Sequence, residues 1–247
     1  MPGYLQMEEL ISMIDETRRA LYCQILADHS PLFRQAAGSS HNHQAWPGGY
    51  WDHVTEVMNL AVILFKTLNN ARALQFSLSA ALEVLFLHDI EKPWRGYLDA
   101  EGKFVLNPDL AGKAARKEFR DRKLEEYGIQ LNTRQLNALR YVEGELDDYS
   151  PGRCTQWPLG AFCHMCDNTS ARLWPTFPLP GNDPWKGAGR TTDTSEYMRE
   201  YYSLYLNSPC PDCGSLDQEV RNYDAMWHDG DVHCRNCGAR VRSFDAG

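Results

Sequence analysis

The chain has 247 residues, 43% of them apolar, and a formal net charge of −8. That length allows one sizeable domain and a small appendage, with enough apolar residues for a true core. The acidic balance argues against general attraction to nucleic acid or anionic membrane, though a local basic patch can still hold a phosphate, and the apolar runs are too short and broken for a transmembrane span.

The first residues lack the basic start and apolar centre of a signal peptide, so a cytoplasmic protein is expected. In that compartment the eight cysteines read as metal ligands or buried thiols rather than disulfides. Helical spacing of Leu10, Met13, Ile14, Leu21 and Ile25 predicts a packing helix over 8–27. A loop, His41 to Gly49, follows, with two glycines after Pro47. The next expected helices run from Tyr50 to Leu68 and from Ala71 to Asp89, the second apolar on most faces and stopped by Pro93. Residues 96–107 read as a small hairpin or loop, and Asn107-Pro108 opens a helix expected to end at Gly128. Further helices are expected over Thr133–Val142, from Pro158 to just before Pro175, and over 195–206. The Pro- and Gly-rich stretch 175–190 reads as an excursion or lid.

Three of these helices carry His53, the doublet His88-Asp89, and Asp167. Together they make a mixed nitrogen and oxygen donor set for a divalent metal (Mn, Fe, Co, Ni, Mg or Zn), among which sequence does not select. Such an ion lowers the pKa of a bound water and polarises a phosphoryl oxygen. Adjacent residues do not share a helix face, so His88 and Asp89 reach one ion only where the helix is ending, which is where Pro93 ends it.

The string Gly48-Gly49-Tyr50-Trp51-Asp52-His53, then His88-Asp89-Ile90-Glu91-Lys92, then Asp167 within a helix, resembles the HD-domain metal-dependent phosphohydrolase superfamily over roughly residues 40–175. The resemblance implies a bundle of helices, a metal held by His53, His88, Asp89 and Asp167, and phosphoester substrates, often nucleotides. The Gly-Gly, three residues, His run is similar to a subgroup that includes certain 3′–5′ exoribonucleases and helicase-associated HD domains. Glu91 departs from the common pattern, since many members have glycine before the lysine matched here by Lys92. An acidic residue near the doublet is similar to nucleotidase-type members, where a carboxylate helps to activate water. Glu91 therefore reads either as a general base or as a solvated turn residue. Lys92 reads as the group that neutralises a substrate phosphate or as a surface lysine. With the ligand Asp89, these two are the expected catalytic residues.

His41 and His43 precede the Gly-Gly turn, and read as substrate or second-metal ligands over the site or as exposed loop histidines. His164 lies three positions before Asp167 and reads as packed. Lys113, Arg116, Arg120 and Lys123 form one stripe on their helix. The stripe suits a polyphosphate, or a solvated face balanced by Glu118, Asp121, Glu125 and Glu126. Arg95 has a similar case, so Arg95, Arg116 and Arg120 join His41 and His43 as substrate-binding candidates. Trp46, Tyr50, Trp51, Trp94 and Tyr97 read as base-stacking residues or as core. Cys163 and Cys166 read as buried thiols.

The last forty residues change character. Cys210-Pro-Asp-Cys213-Gly and Cys234-Arg-Asn-Cys237-Gly are matching knuckles that predict a structural tetrahedral zinc. So short a segment has little core, and the metal supplies most of its folding free energy. Seven acidic residues against four arginines from Asn207 onward disfavour nonspecific DNA binding, so docking onto its own chain or a protein partner, including a second copy, is the expected role.

The expectation is thus an all-α HD-type helical catalytic domain over 1–206 and a small β zinc ribbon over 207–247. The expected activity is hydrolysis of a nucleotide (a dNTP or dNMP) or another small phosphoester by metal-activated water. The alternatives are a 3′–5′ exonuclease on single-stranded nucleic acid, a di-iron HD-type oxygenase drawing on His41, His43 or His164, and a non-enzymatic sensor or adaptor.

Overall fold

A computed structural model describes residues 3–38, 44, 48–98, 104–110, 112–145, 148–173, 209–224 and 229–244. The described residues are mainly helical: α1 (Met7–Ser12), α2 (Glu16–Phe33), α3 (Gly49–Ala71), α4 (Leu78–Leu87), α5 (Lys113–Glu126), α6 (Thr133–Tyr141) and α7 (Pro158–Arg172). A two-stranded hairpin, β1 (Gly96–Leu98) and β2 (Phe104–Leu106), sits between α4 and α5. Near the C-terminus β3 (Gln218–Asp224), β4 (Asp229–Cys234) and β5 (Arg240–Phe244) form an antiparallel sheet in the order β3-β4-β5. The excursion 175–190, the helix expected over 195–206, and His41, His43 and Trp46 lie outside the described residues. Among the described residues no helix is long and apolar enough to cross a membrane.

The core is built where α3, α4, α6 and α7 pack on one another. Val57, Met58, Leu82, Leu85 and Phe86 are buried at its centre. Every residue of α3 from Gly49 to Ala61 is buried, polar ones included. Buried polar groups must find partners, and they tie the helices together. Asn59 on α3 bonds both the amide and the carbonyl of Leu5 at 2.9 Å, which fixes the segment leading into α1. Glu83 on α4 is buried and ion-paired with Arg18 of α2, and it also accepts from Tyr22 Oη at 2.8 Å.

Three helix boundaries differ from the sequence expectation, each for a local reason. The helix predicted over 8–27 is two helices, because the chain breaks after Ser12 and the Asp15 amide donates to Ser79 Oγ. The helix predicted from Ala71 begins only at Leu78. Arg72 is extended, Asn69 Oδ1 accepts from the Leu74 amide, and Ser77 Oγ caps the new helix by accepting from Ala80. At Asn107-Pro108 the Asn107 side chain accepts from the Asp109 amide, so the proline opens a single 3₁₀ turn and α5 starts after Gly112.

Candidate metal centre

The Gly-Gly turn sets the position of His53. Gly48 has φ +85°, a left-handed backbone that side chains rarely adopt. A Cβ on Gly49 would lie 1.7 Å from the Gln44 carbonyl oxygen, so only glycine fits there. The turn is held by Gly38 N–H donating to Gln44 O and Tyr50 N–H donating to Ala36 O. α3 then carries His53 on its second turn, fully buried.

The doublet follows the last residue of α4, Leu87. Beyond it the chain tightens into successive i→i+3 turns: Ile90 N–H to Leu87 O, Lys92 N–H to Asp89 O, and Trp94 N–H to Glu91 O. Such turns close at three residues rather than 3.6. This local change brings His88 Nε2 and Asp89 Oδ2, on adjacent residues, to 3.1 Å from each other. α7 delivers Asp167 from the opposite side, and its packing against α3 and α4 holds the three segments in register.

The donor atoms converge. His53 Nε2 lies 3.2 Å from His88 Nε2, 3.1 Å from Asp167 Oδ1 and 3.5 Å from Asp89 Oδ2. His88 Nε2 lies 3.1 Å from Asp89 Oδ2 and 3.6 Å from Asp167 Oδ1. Two donors about 2.1 Å from a shared ion stand about 3.0 Å apart at a right angle and about 3.4 Å apart at the tetrahedral angle. The observed separations fall around those values, so His53, His88 and Asp167 can hold a metal ion, while Asp89 Oδ2 stands against the two imidazole nitrogens and outside that trio. The outer ring nitrogens are spoken for. His88 Nδ1 is 2.6 Å from the Leu85 carbonyl, which only accepts, so that nitrogen carries a proton. The histidines are shut away, whereas the Asp167 side chain is 18% exposed, so access to the centre is from its side.

Burial opposes charge on all four groups, and the neighbours decide the outcome. At His88 burial pushes the pKa down, but Asp89 and Asp167 win and hold it well above the ordinary imidazole range. At Asp89 burial pushes up, but the charges of His88 and Lys92 hold the carboxyl well below the usual range. At Asp167 burial is likewise overcome, by its contacts with His53 and His88, and its pKa is depressed. At His53 burial prevails and the pKa falls. Without a metal ion the cluster therefore keeps one proton, on His88, between two carboxylates.

Several predicted site residues surround this point. Lys92 Nζ pairs with Asp89 Oδ2 at 2.6 Å. Glu91 is buried rather than solvated, and its Oε2 has no hydrogen-bond partner among the described residues. Burial and then the Asp89 charge raise its pKa. Arg120 reaches the His88 carbonyl at 3.4 Å, and its buried Nε likewise lacks a partner among the described residues. Arg116 is held by the Leu110 carbonyl. Burial and the charge of Arg95 lower its pKa while Glu91, Glu143 and Asp89 act the other way, so these groups share one neighbourhood. The predicted stripe divides here. Lys123 lies 5.0 Å over the Trp94 ring and pairs with Glu126.

The aromatics resolve toward core. Tyr50 and Trp51 are buried. Trp94 packs edge-on against His29 and Phe33, with ring centroids 4.8 and 5.8 Å away. The Tyr97 side chain lies outside the described residues. His164 is partly buried and anchored by Nδ1 to the Val142 carbonyl at 2.7 Å. Cys163 and Cys166 are buried thiols whose pKa burial raises. Sequence reasoning missed Ser170, Glu56 and Gln44, all buried beside His53. Helical spacing offered the one signal: Glu56 is three residues after His53, and Ser170 three after Asp167.

The second candidate centre is the Cys210, Cys213, Cys234 and Cys237 group. Its sulfur pairs Cys210–Cys237 and Cys213–Cys234 are 3.6 and 3.5 Å apart. Thiolates about 2.3 Å from a tetrahedral zinc would stand about 3.8 Å apart, so the four fit that ion. The two knuckles repeat each other. Gly214 N–H donates to Cys210 O and Gly238 N–H to Cys234 O, each at 2.8 Å, with φ +70° and +76° at the glycines. Nearby arginines are taken up internally, Arg235 and Arg221 by Glu219 and Arg240 by Asp231.

No protein-family model matches the chain, and comparison with curated proteins and with solved structures gives no match.

Proposed function

We propose that the chain is an HD-type metal-dependent phosphohydrolase acting on a nucleotide or another small phosphoester. In this reading residues 1–206 form the catalytic unit and 207–247 a zinc ribbon. The observation that carries it is the meeting of two imidazoles and two carboxylates from three helical segments beside a cluster of cationic side chains. His53, His88, Asp89 and Asp167 would hold the ion. A divalent ion so held acidifies a coordinated water and draws charge from a phosphoryl oxygen.

The chain's own groups do the rest. Lys92 keeps Asp89 in place and sets a positive charge at the edge of the centre, where charge develops on a transferring phosphoryl group. Arg116 and Arg120, with Arg95 beside them, grip the non-reacting oxygens of the phosphate. The Oε2 of Glu91, without a partner among the described residues, is an acceptor for the proton of the attacking water. The internal pairing of Arg221, Arg235 and Arg240 supports a small substrate over a nucleic-acid strand, since a paired cation is less available to neutralise a phosphate.

The test is a phosphate-release screen over nucleoside mono- and triphosphates with Mn, Co, Ni or Mg added singly. Metal-stimulated release from at least one nucleotide is expected, and Asp89→Ala should abolish it while the circular dichroism spectrum is unchanged. Undiminished release by that variant would overturn the assignment.

A further inference from the structure

Behind His53 stand two buried polar residues that the proposed chemistry leaves unused, Ser170 and Glu56. His53 Nδ1 lies 3.2 Å from Ser170 Oγ, and Ser170 Oγ donates its proton to Glu56 Oε1 at 2.9 Å. Gln44 Nε2 approaches the same Oγ at 3.3 Å. His53, Ser170, Glu56 and Gln44 are all at least 95% buried. A serine hydroxyl has one proton, and a carboxylate can only accept. With that proton given to Glu56, Ser170 Oγ faces His53 as an acceptor, so the ring must carry its proton on Nδ1. Its Nε2 lone pair then points at the gathering of donors described above.

We propose that Ser170 and Glu56 are positioning residues that fix the tautomer and orientation of His53, and so set the metal affinity of the centre. The inference rests on the metal-centre reading. Neither residue touches substrate. The spacing explains why the pair falls where it does: Glu56 stands one turn beyond His53 on α3, Ser170 one turn beyond Asp167 on α7, and the packing of α3 on α7 closes the bond. Hydrogen-bond partners behind a ligating histidine typically account for 10- to 100-fold in metal affinity.

The experiment is calorimetric titration, with Mn²⁺ or Co²⁺ alone, of the full chain as purified after removal of any metal from the His53–His88–Asp167 centre by a mild chelator. Ser170→Ala should weaken binding about 10- to 100-fold, and Ser170→Thr, which keeps the hydroxyl, should restore most of it. Glu56→Gln, whose amide no longer forces the serine proton one way, should lose several-fold. Ser170→Ala binding as tightly as the unaltered chain, or Ser170→Thr binding as weakly as Ser170→Ala, overturns the role of the hydroxyl. Unchanged affinity in Glu56→Gln removes Glu56 from the relay. A measurement on the unaltered protein keeps the proposal falsifiable should Ser170→Ala fail to fold. The ring ¹⁵N shifts of His53 in the metal-free chain should show a protonated Nδ1 and an unprotonated Nε2, and the reverse pattern overturns the relay. Should His88→Ala bind the ion as well as the unaltered chain, the metal-centre reading itself falls.

Discussion

His53 Nε2 and His88 Nε2 face each other across 3.2 Å, each ring already engaged at Nδ1 by Ser170 or by the Leu85 carbonyl. Two nitrogen lone pairs and two carboxylates cannot share so small a space without positive charge between them. In the metal-free chain that charge is the His88 proton, kept because Asp89 and Asp167 outweigh burial. The proton sits where a metal ion would.

Binding of a divalent ion should therefore expel about one proton, since a ligating imidazole must be neutral. Calorimetry in buffers of differing ionisation enthalpy reads this count directly. Below the raised pKa of His88 the expected release is close to one proton per ion, and affinity should climb with pH. Release near zero throughout that range would mean His88 is not the proton carrier.

The same shifts set the pH dependence of metal-free stability. A group whose folded pKa is raised, as at His88, stabilises fully below its unfolded value of about 6.5 and loses that contribution as pH rises through its folded value. A group whose folded pKa is lowered, as at His53, contributes above about 6.5 and loses that contribution as pH falls through its folded value. Asp89 and Asp167, also lowered, contribute above about 4 and fade only in stronger acid. The centre's share of stability should thus peak near pH 6.5, about where the two histidine contributions cross. Thermal melts of the chelated chain across pH should show a maximum there that His88→Ala flattens. An equally sharp maximum in that variant would place its origin elsewhere.

The cationic neighbourhood should matter for substrate and not for the ion. Arg120, whose Nε has no partner among the described residues, and Arg116 beside Arg95 are the residues to change. A hydrogen bond to a charged group is worth about 1.5–3 kcal/mol, so Arg116→Ala or Arg120→Ala should lower kcat/KM roughly 10- to 150-fold. Metal affinity measured by titration should stay near that of the unaltered chain, and inhibition by inorganic phosphate should weaken in parallel. Loss of metal binding in these variants would assign the arginines to support of the His88 turn instead.

The candidate metal donors were legible in the sequence because their chemistry is rare and their surroundings are punctuated. Gly48-Gly49 marks a turn that only glycine can make, and Pro93 marks the place where a helix must give out. Helix starts were less legible: the delay of α4 to Leu78 depends on a Ser77 cap and an Asn69 bond that compete with a pattern still apolar enough to be helical. Glu91 was open to two readings, because whether a turn residue is buried depends on what packs over it. The relay behind His53 was invisible for a different reason. Its hydrogen bonds join residues 114 and 117 positions apart, and helical spacing on either helix alone does not show which serine and which glutamate will meet.

The ribbon offers a test independent of the helices. In its sheet Val232 is, cysteines aside, the fully buried apolar side chain among the described residues, and one valine stabilises by only about 1.5–3 kcal/mol. Ordering some twenty residues costs far more, at about 1–2 kcal/mol each for backbone alone. In so small a segment the binding of zinc to four thiolates is itself folding free energy, which removal of the ion withdraws. Removal of zinc by a strong chelator, or Cys234→Ser, should therefore abolish amide exchange protection in β3, β4 and β5 while α3, α4 and α7 keep theirs. The measurement is hydrogen exchange read by mass spectrometry, with the zinc content determined on the same sample. Strands that stay protected after the ion is gone would show that the sheet folds without it.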